Sequence, residues 1–514
     1  MPRGFEEATI PELQTAIKSG KTTSRKLVEW YLRRLARIDR AGPRLNSIVE
    51  INPDVLEIAQ QLDEERVERG LRGPLHGIPV VLKDSIATID RMETTAGSLA
   101  LVGSRPRNEA FVVKRLRDAG AIILGKANLS EWANIRSSNS SSGWSARGGQ
   151  VRNPYVLDRS PCGSSSGSAV AVAANLTSVA VGTETDGSIL CPSSVNGVVG
   201  IKPTLGLVSR AGVIPVAHSQ DTVGPIARTV TDAAILLGAM VGVDKDDPST
   251  RTGAGRFHRD YTKFLDRDGL KGARIGVPRE GYFGYSDKAD SIAEAAIGRM
   301  RKLGAKIIDP ANIPTAKQMA TSEDELTVLM HEFKAGLNRY LTGLESSRVR
   351  SLKQVIAFNE KHKQKELKYF GQDLFIRAQK TTGLKNPRYL KALKNDRLLA
   401  RRKGIDFVMD KYRLDAMVAP TTSPAWAIDL VDGDHGLGGS SQPTALAGYP
   451  AITVPAGFVF GLPVGITFMG RAFGEPTLIT LAYSFEQATR HRSPPRYRRT
   501  ISSEQTISTS KNLH

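Results

Sequence analysis

The sequence predicts an α/β fold: a single large domain built on a central mixed, mostly parallel sheet. Three observations carry this. From residue 77 onward, short apolar runs alternate with longer stretches of helical spacing, the pattern of strands joined by crossover helices, for which parallel pairing is expected. Length alone would allow about three average domains, yet no Pro/Gly/Ser-rich linker divides the 514 residues, so one large unit is expected. Finally, the densest cluster of small and hydroxylic residues, 160–194, reads SPCGSSSGSAVAVAANLTSVAVGTETDGSILCPSS: two serine-bearing loops around one helix and one strand.

Residues 9–70 read as helical and as packed on the outside of the core. Thr22-Thr23-Ser24 caps a stripe of Leu27, Trp30, Tyr31 and Leu35. The opening MPRGFEEATIPELQ has no apolar leader core, and no stretch reaches the roughly 18 apolar residues of a membrane span. The expectation is a cytoplasmic location or one the sequence does not specify, with removal of a leader left open. Residues 77–84, GIPVVLKD, form a strand-like run ending on Lys83. Residues 110–119 have helical spacing closed by Gly120, and 121–125 form a short buried strand. The Ser-rich loop 137–144 follows.

Beyond the central cluster, Thr229-Val230-Thr231-Asp232 resembles a capping box opening a helix over 233–240. Strands are expected over 274–278 and 305–309, around a helix over 289–303. Residues 322–412 turn rich in Lys and Arg and show helical stripes such as Leu329, Phe333, Leu337 and Leu341, so they read as a helical insertion beside the site entrance. Strands return over 415–420, 451–455 and 464–469. The organisation expected is therefore N-terminal helices (1–70), a main domain (71–490) carrying the insertion (322–412), and a frayed basic and polar tail (491–514).

Dead reckoning tests the central cluster. A helix over 167–177 travels roughly 16 Å at about 1.5 Å per residue, and six extended residues return roughly 20 Å at about 3.3 Å each. The two nearly cancel, so Ser164 and Ser188 end up side by side. A serine is a poor nucleophile without a base. The eight histidines are scattered, without the context of a triad partner, whereas Lys83 stands at a strand end.

Together these residues resemble the amidase signature family, serine amidohydrolases with a Ser–Ser–Lys triad. The Gly/Ser stretch 160–168, the nucleophile loop 182–192 and the lysine strand 77–84 carry the likeness. Asn153-Pro154, residues 197–203 and residues 447–470 extend it over most of 70–490. The resemblance implies the amidase signature fold, with helices on both faces of the sheet. It also implies Lys83 as base, Ser164 as bridging serine after a cis peptide bond, Ser188 as nucleophile, and the N–H groups of Thr185, Asp186, Gly187 and Ser188 as oxyanion hole. Ser188 would attack an amide carbonyl while Ser164 passes its proton to a neutral Lys83, and water would then release the acid from the acyl-enzyme. That requires the Lys83 amine to titrate roughly three units below its usual value of about 10.4.

Departures from the family pattern bear on pocket shape and hence on substrate: Cys162 and Ser166 stand where glycines are usual, Asp186 where a second glycine is frequent, and Leu190 where arginine is common. Peptide amidases, which act on C-terminal peptide amides, look most similar; aryl and aliphatic amides and carbamates stay open. The competing enzyme reading is the glutamine-hydrolysing component of a tRNA-dependent amidotransferase, but VLMHEFKAGLNRYL (328–341) does not resemble the Arg/Tyr-containing stretch expected there.

Other readings rank lower. Residues 163–167 fit G-x-S-x-G, but no strand leads into them, and a phosphate cradle would need a G-K-[ST] ending. The charge balance, 71 basic against 52 acidic residues or +19, invites a nucleic-acid reading, yet no aromatic interleaving supports it; a solvated basic exterior is the expectation. Cys162 and Cys191 read as two small buried residues, since a disulfide framework needs more cysteines. No cofactor, metal or nucleic acid is expected, the partner being a small amide or peptide amide and the chain a monomer or homodimer.

Overall fold

The computed structural model describes residues 4–501. Among the described residues there are thirteen strands: β1 (Ile48–Ile51), β2 (Pro79–Lys83), β3 (Ile122–Ala127), β4 (Trp144–Ser145), β5 (Gly149–Gln150), β6 (Val179–Glu184), β7 (Val199–Lys202), β8 (Thr222–Ala227), β9 (Arg274–Gly276), β10 (Lys306–Ile308), β11 (Ala416–Pro420), β12 (Ala451–Val459) and β13 (Leu462–Met469). Eleven form one mixed sheet in the order β1-β3-β2-β6-β8-β7-β12-β13-β11-β9-β10, while β4 and β5 make a separate hairpin.

Pairing is parallel where the serine cluster sits, at β3-β2-β6, and again at β10-β9-β11. Between these regions it is antiparallel, as at β12–β13, whose short connection permits only a hairpin. Every residue of β2, β3, β7, β8, β11 and β13 is buried. Such strands need cover on both faces, and the helices Val55–Arg69, Ser166–Ala173, Val230–Met240, Asp287–Lys302 and Glu475–Thr489 pack against the sheet. This is the α/β architecture expected.

Local chemistry sets the helix starts. Thr23 accepts from the Lys26 N–H at 3.2 Å, and Thr229 accepts from the Asp232 N–H at 3.1 Å. Only half of the expected box forms at Thr229, because the Asp232 carboxylate is drawn away to the Ile10 N–H at 2.9 Å. That bond ties the first helix, Ile10–Lys18, to the core. Residues 324–412 contain helices such as Asp324–Gly343 and Pro387–Ala400.

Three expectations are corrected. The first 70 residues are not all helical: β1 adds an antiparallel edge strand to β3. The segment after residue 490 is not frayed as far as residue 501. Arg492 is gripped by Glu7 at 2.7 and 2.8 Å and donates to the Gly197 and Ala173 carbonyls, while Leu157 donates to the Arg498 carbonyl at 2.7 Å. Residues 502–514 of the expected tail lie outside the described residues.

Cys162 and Cys191, finally, are not separate small residues but a disulfide across a separation of 29, with Cα atoms 6.0 Å apart. Closing a loop of that length restricts the unfolded chain by about 3 to 4 kcal/mol in the chain-entropy account. The double variant Cys162→Ser/Cys191→Ser is expected to lose about that much stability in urea denaturation. An unchanged midpoint would show that the bond contributes nothing.

Candidate active site

β2 carries Lys83 to the end of the parallel segment, fully buried. Its Nζ lies 2.7 Å from Ser164 Oγ, 3.1 Å from the Thr183 carbonyl oxygen and 2.9 Å from Thr183 Oγ1. Burial draws the Lys83 amine down to about 7, against the opposing pull of Asp221 and Glu184. The low-dielectric surroundings disfavour the ammonium form more than two nearby carboxylates restore it.

Ser164 is fully buried and follows a cis Gly163–Ser164 peptide bond. The loop is pinned from several sides. Ser130 N–H donates to the Ser164 carbonyl at 3.1 Å, Ser166 Oγ donates to the Cys162 carbonyl at 2.6 Å, and Ser165 Oγ donates to the Thr183 carbonyl at 3.0 Å. Close approach explains Gly167, where a Cβ would sit 2.2 Å from the Ser47 carbonyl oxygen and 2.4 Å from that of Asn128. The helix that starts here, Ser166–Ala173, is shorter than expected, and β6 returns the chain to the same end of the sheet.

The Ser165 N–H donates to the Ser188 carbonyl at 3.0 Å, which fastens the two serine loops together one residue from Ser164. The disulfide is a second fastening, two residues before Ser164 and three after Ser188. Ser188 is 8% exposed, recessed but not sealed from solvent. Around it, Thr185, Asp186 and Gly187 form a turn in which Gly187 has φ +75°.

Carboxylates shape this turn. Glu184 accepts from the Ile189 N–H at 2.6 Å and the Leu190 N–H at 2.9 Å and also draws on the Gly187 N–H. Asp221 accepts from Thr185 Oγ1 at 2.6 Å while taking the N–H groups of Val216 and Ala217, each at 2.9 Å. Burial raises both acids, with Lys202 opposing the rise at Glu184.

A cavity of about 570 Å³ opens beside this centre. Its lining includes Thr183 and Thr185 but not Lys83, Ser164 or Ser188; Trp132, Ile214, Phe333 and Tyr340 give it apolar walls. Phe333 and Tyr340 come from the helix Asp324–Gly343. Sequence reasoning singled out Lys83, Ser164 and the 185–188 turn but missed Thr183, Glu184 and Asp221. Glu184 sits inside the quoted motif, but an isolated Thr or Asp advertises no partner. Among the described residues no group of three His, Cys, Asp or Glu side chains is placed to hold a metal, and no helix is long and apolar enough to cross a membrane.

An all-buried lysine–serine contact beside a recessed second serine defines a class of serine amidohydrolase, and comparison with known proteins agrees. The Amidase family matches residues 27–479, and the chain belongs to that family. It is 45% identical over 501 residues to a probable amidase of Arabidopsis thaliana, covering 96% of this chain and 92% of that one. The crystal structure of the native peptide amidase from Stenotrophomonas maltophilia superposes with a TM-score of 0.92 at 52% identity, over 96% of this chain and 100% of the other. A glutamyl-tRNA(Gln) amidotransferase component from Thermotoga maritima is also similar, with a TM-score of 0.70 at 29% identity over 95% of this chain and 96% of the other. The chain is an amidase, hydrolysing carboxylic amides.

Proposed function

We propose that this amidase releases ammonia from C-terminal peptide amides through a Ser188–Ser164–Lys83 relay. The observation that carries the relay is the set of three contacts around Lys83 Nζ. A neutral amine has two N–H donors and one lone pair. The Thr183 carbonyl and Thr183 Oγ1 take the two donors, and the lone pair meets the Ser164 hydroxyl at 2.7 Å. Ser164 O–H then donates to Lys83, which leaves Ser164 Oγ as the acceptor for the proton of Ser188.

Attack by Ser188 Oγ on the amide carbon places negative charge on the carbonyl oxygen. The N–H groups of Thr185, Asp186 and Ser188 are the donors for it, that of Gly187 being drawn to Glu184, and each preorganised donor contributes about 3 to 4 kcal/mol. The proton gained by Lys83 returns through Ser164 to the leaving nitrogen. Ammonia departs, and water repeats the relay to free Ser188 and the peptide acid.

The similarity to peptide amidase and a cavity of about 570 Å³ with aromatic walls support a peptide or similarly sized amide over glutamine. In this reading residues 71–490 form the amidase domain, and the 322–412 insertion walls the cavity. The chain works as a monomer or homodimer, without cofactor or nucleic acid. The disulfide favours an oxidising compartment over the cytoplasmic placement expected from sequence.

Ammonia release from an N-acetyl dipeptide amide, an aryl amide, a carbamate and glutamine tests the substrate. The peptide amide is expected to show the highest kcat/KM. Turnover of glutamine alone would replace this reading with the amidotransferase one.

A further inference from the structure

Asp186 has no task in that mechanism beyond its N–H, yet its carboxyl is closely engaged. Its Oδ1 is shielded from solvent and meets no donor, while the carboxyl faces Glu325 and Ser441, and Ser441 Oγ stands 3.0 Å from where a Cβ on the next residue, Gly187, would lie. Glu325 belongs to the first long helix of the insertion, Asp324–Gly343. Both of its oxygens are already occupied as acceptors, Oε1 by Gln220 Nε2 at 3.0 Å and Oε2 by Gln442 Nε2 at 2.9 Å. Two facing carboxyls, one accepting a donor on each oxygen with a further lone pair free on each and the other holding a buried oxygen without a donor, are reconciled by a proton on the second. Among the described residues no group is placed to hold a metal, and the one buried cation nearby, Lys202, answers Glu184 and Glu475 more strongly than Asp186.

We propose that Asp186 carries that proton and donates it to Glu325, so that the helical insertion holds the nucleophile turn and keeps an uncharged side chain next to the developing oxyanion. Glu325 is thus a positioning residue acting through Asp186. The inference rests on the reading of the 185–188 turn as oxyanion hole. Burial and Glu325 push the Asp186 carboxyl well above the usual carboxylate range, with Ser441 opposing.

The other charged or titratable groups facing the pair are Glu184 on β6, Lys202 on β7, Tyr282, and, beyond Glu325, Asp396 on the helix Pro387–Ala400. Of these, Glu184 acts on Asp186 in the same direction as Glu325. Ionised Asp186 would set a negative charge against the oxyanion, so loss of its proton inactivates the enzyme from the alkaline side.

The test is the pH dependence of kcat for the peptide amide in wild type and three variants. Glu325→Gln offers Asp186 an amide donor and removes the acid beside it, so the alkaline fall is expected about one pH unit or more lower than in wild type. Ser441→Ala removes a bond that favours ionised Asp186, so the fall is expected to move to higher pH. Asp186→Asn is expected to lose the fall altogether, whatever its plateau rate.

Profiles that only scale down, with the limb in place, would assign the pair a merely structural role and overturn the proposal. So would shifts of Glu325→Gln and Ser441→Ala in the same direction. If Ser188 still labels covalently and Ser188→Ala is inactive while these profiles overlay, the proton-sharing inference falls and the relay stands. If Ser188→Ala retains turnover, the relay itself falls.

Discussion

Replacing Ser188 by alanine is expected to abolish peptide amide hydrolysis, lowering kcat by about 10³- to 10⁶-fold, the range for loss of a serine nucleophile whose partners remain. The fold should be unaffected. Ser188 is 8% exposed and its backbone, through a carbonyl that accepts from the Ser165 N–H, makes the contact that joins the loops. Alanine keeps that contact, so the thermal midpoint should change little and a reversible inhibitor should still bind. Retained activity in a correctly folded variant would move the nucleophile elsewhere.

Lys83→Met carries the second large effect. Methionine fills a similar volume but offers no lone pair, so kcat should fall by about 10³-fold or more. In wild type kcat should rise through about pH 7, because the amine is active only when neutral and its folded value is about 7. Stability follows with a definite sign.

The folded value lies below the unfolded one of about 10.5, so the unfolded chain binds more protons between the two and folding is favoured as pH rises across that window. Below pH 7 both states carry the charge, and the native state bears the full cost of burying it. Lys83→Met lacks this term. Its stability relative to wild type should therefore improve by about 2 to 3 kcal/mol between pH 9 and pH 6, as measured by urea denaturation at the two values. A difference that does not vary with pH would mean the amine is not depressed.

What sequence can and cannot disclose is clear from particular residues. The helix and strand that cancel each other between residues 164 and 188 are readable because apolar runs of this length have known rise. Lys83 stands out because a charge closing a run of Pro79, Val80, Val81 and Leu82 demands a buried partner. The same reckoning brings Cys162 and Cys191 together, two and three residues from the serines, and the disulfide was legible by that route. Counting cysteines as a framework concealed it.

Thr183 and Asp221 could not be found this way. Their partners are Nζ of Lys83 and Oγ1 of Thr185, and contacts across strands set by β2–β6 and β6–β8 pairing leave no trace in local spacing. β1 escaped for a similar reason, since four residues between helices give too short a pattern to show period two. The docking of Arg492 depends on Glu7, 485 residues away, and composition alone made that segment look like a solvated tail.

The central claim is that a neutral, buried Lys83 sharpens Ser188 through Ser164. A fluorophosphonate that mimics the acyl-transfer step tests it most directly, with the modified residue located by peptide mass mapping and the labelling rate followed from pH 5 to 9. The account predicts a single adduct on Ser188, forming at a rate that climbs through about pH 7 and collapses in Lys83→Met. An adduct on Ser164 or another serine, or a rate indifferent to pH and to Lys83, would contradict it.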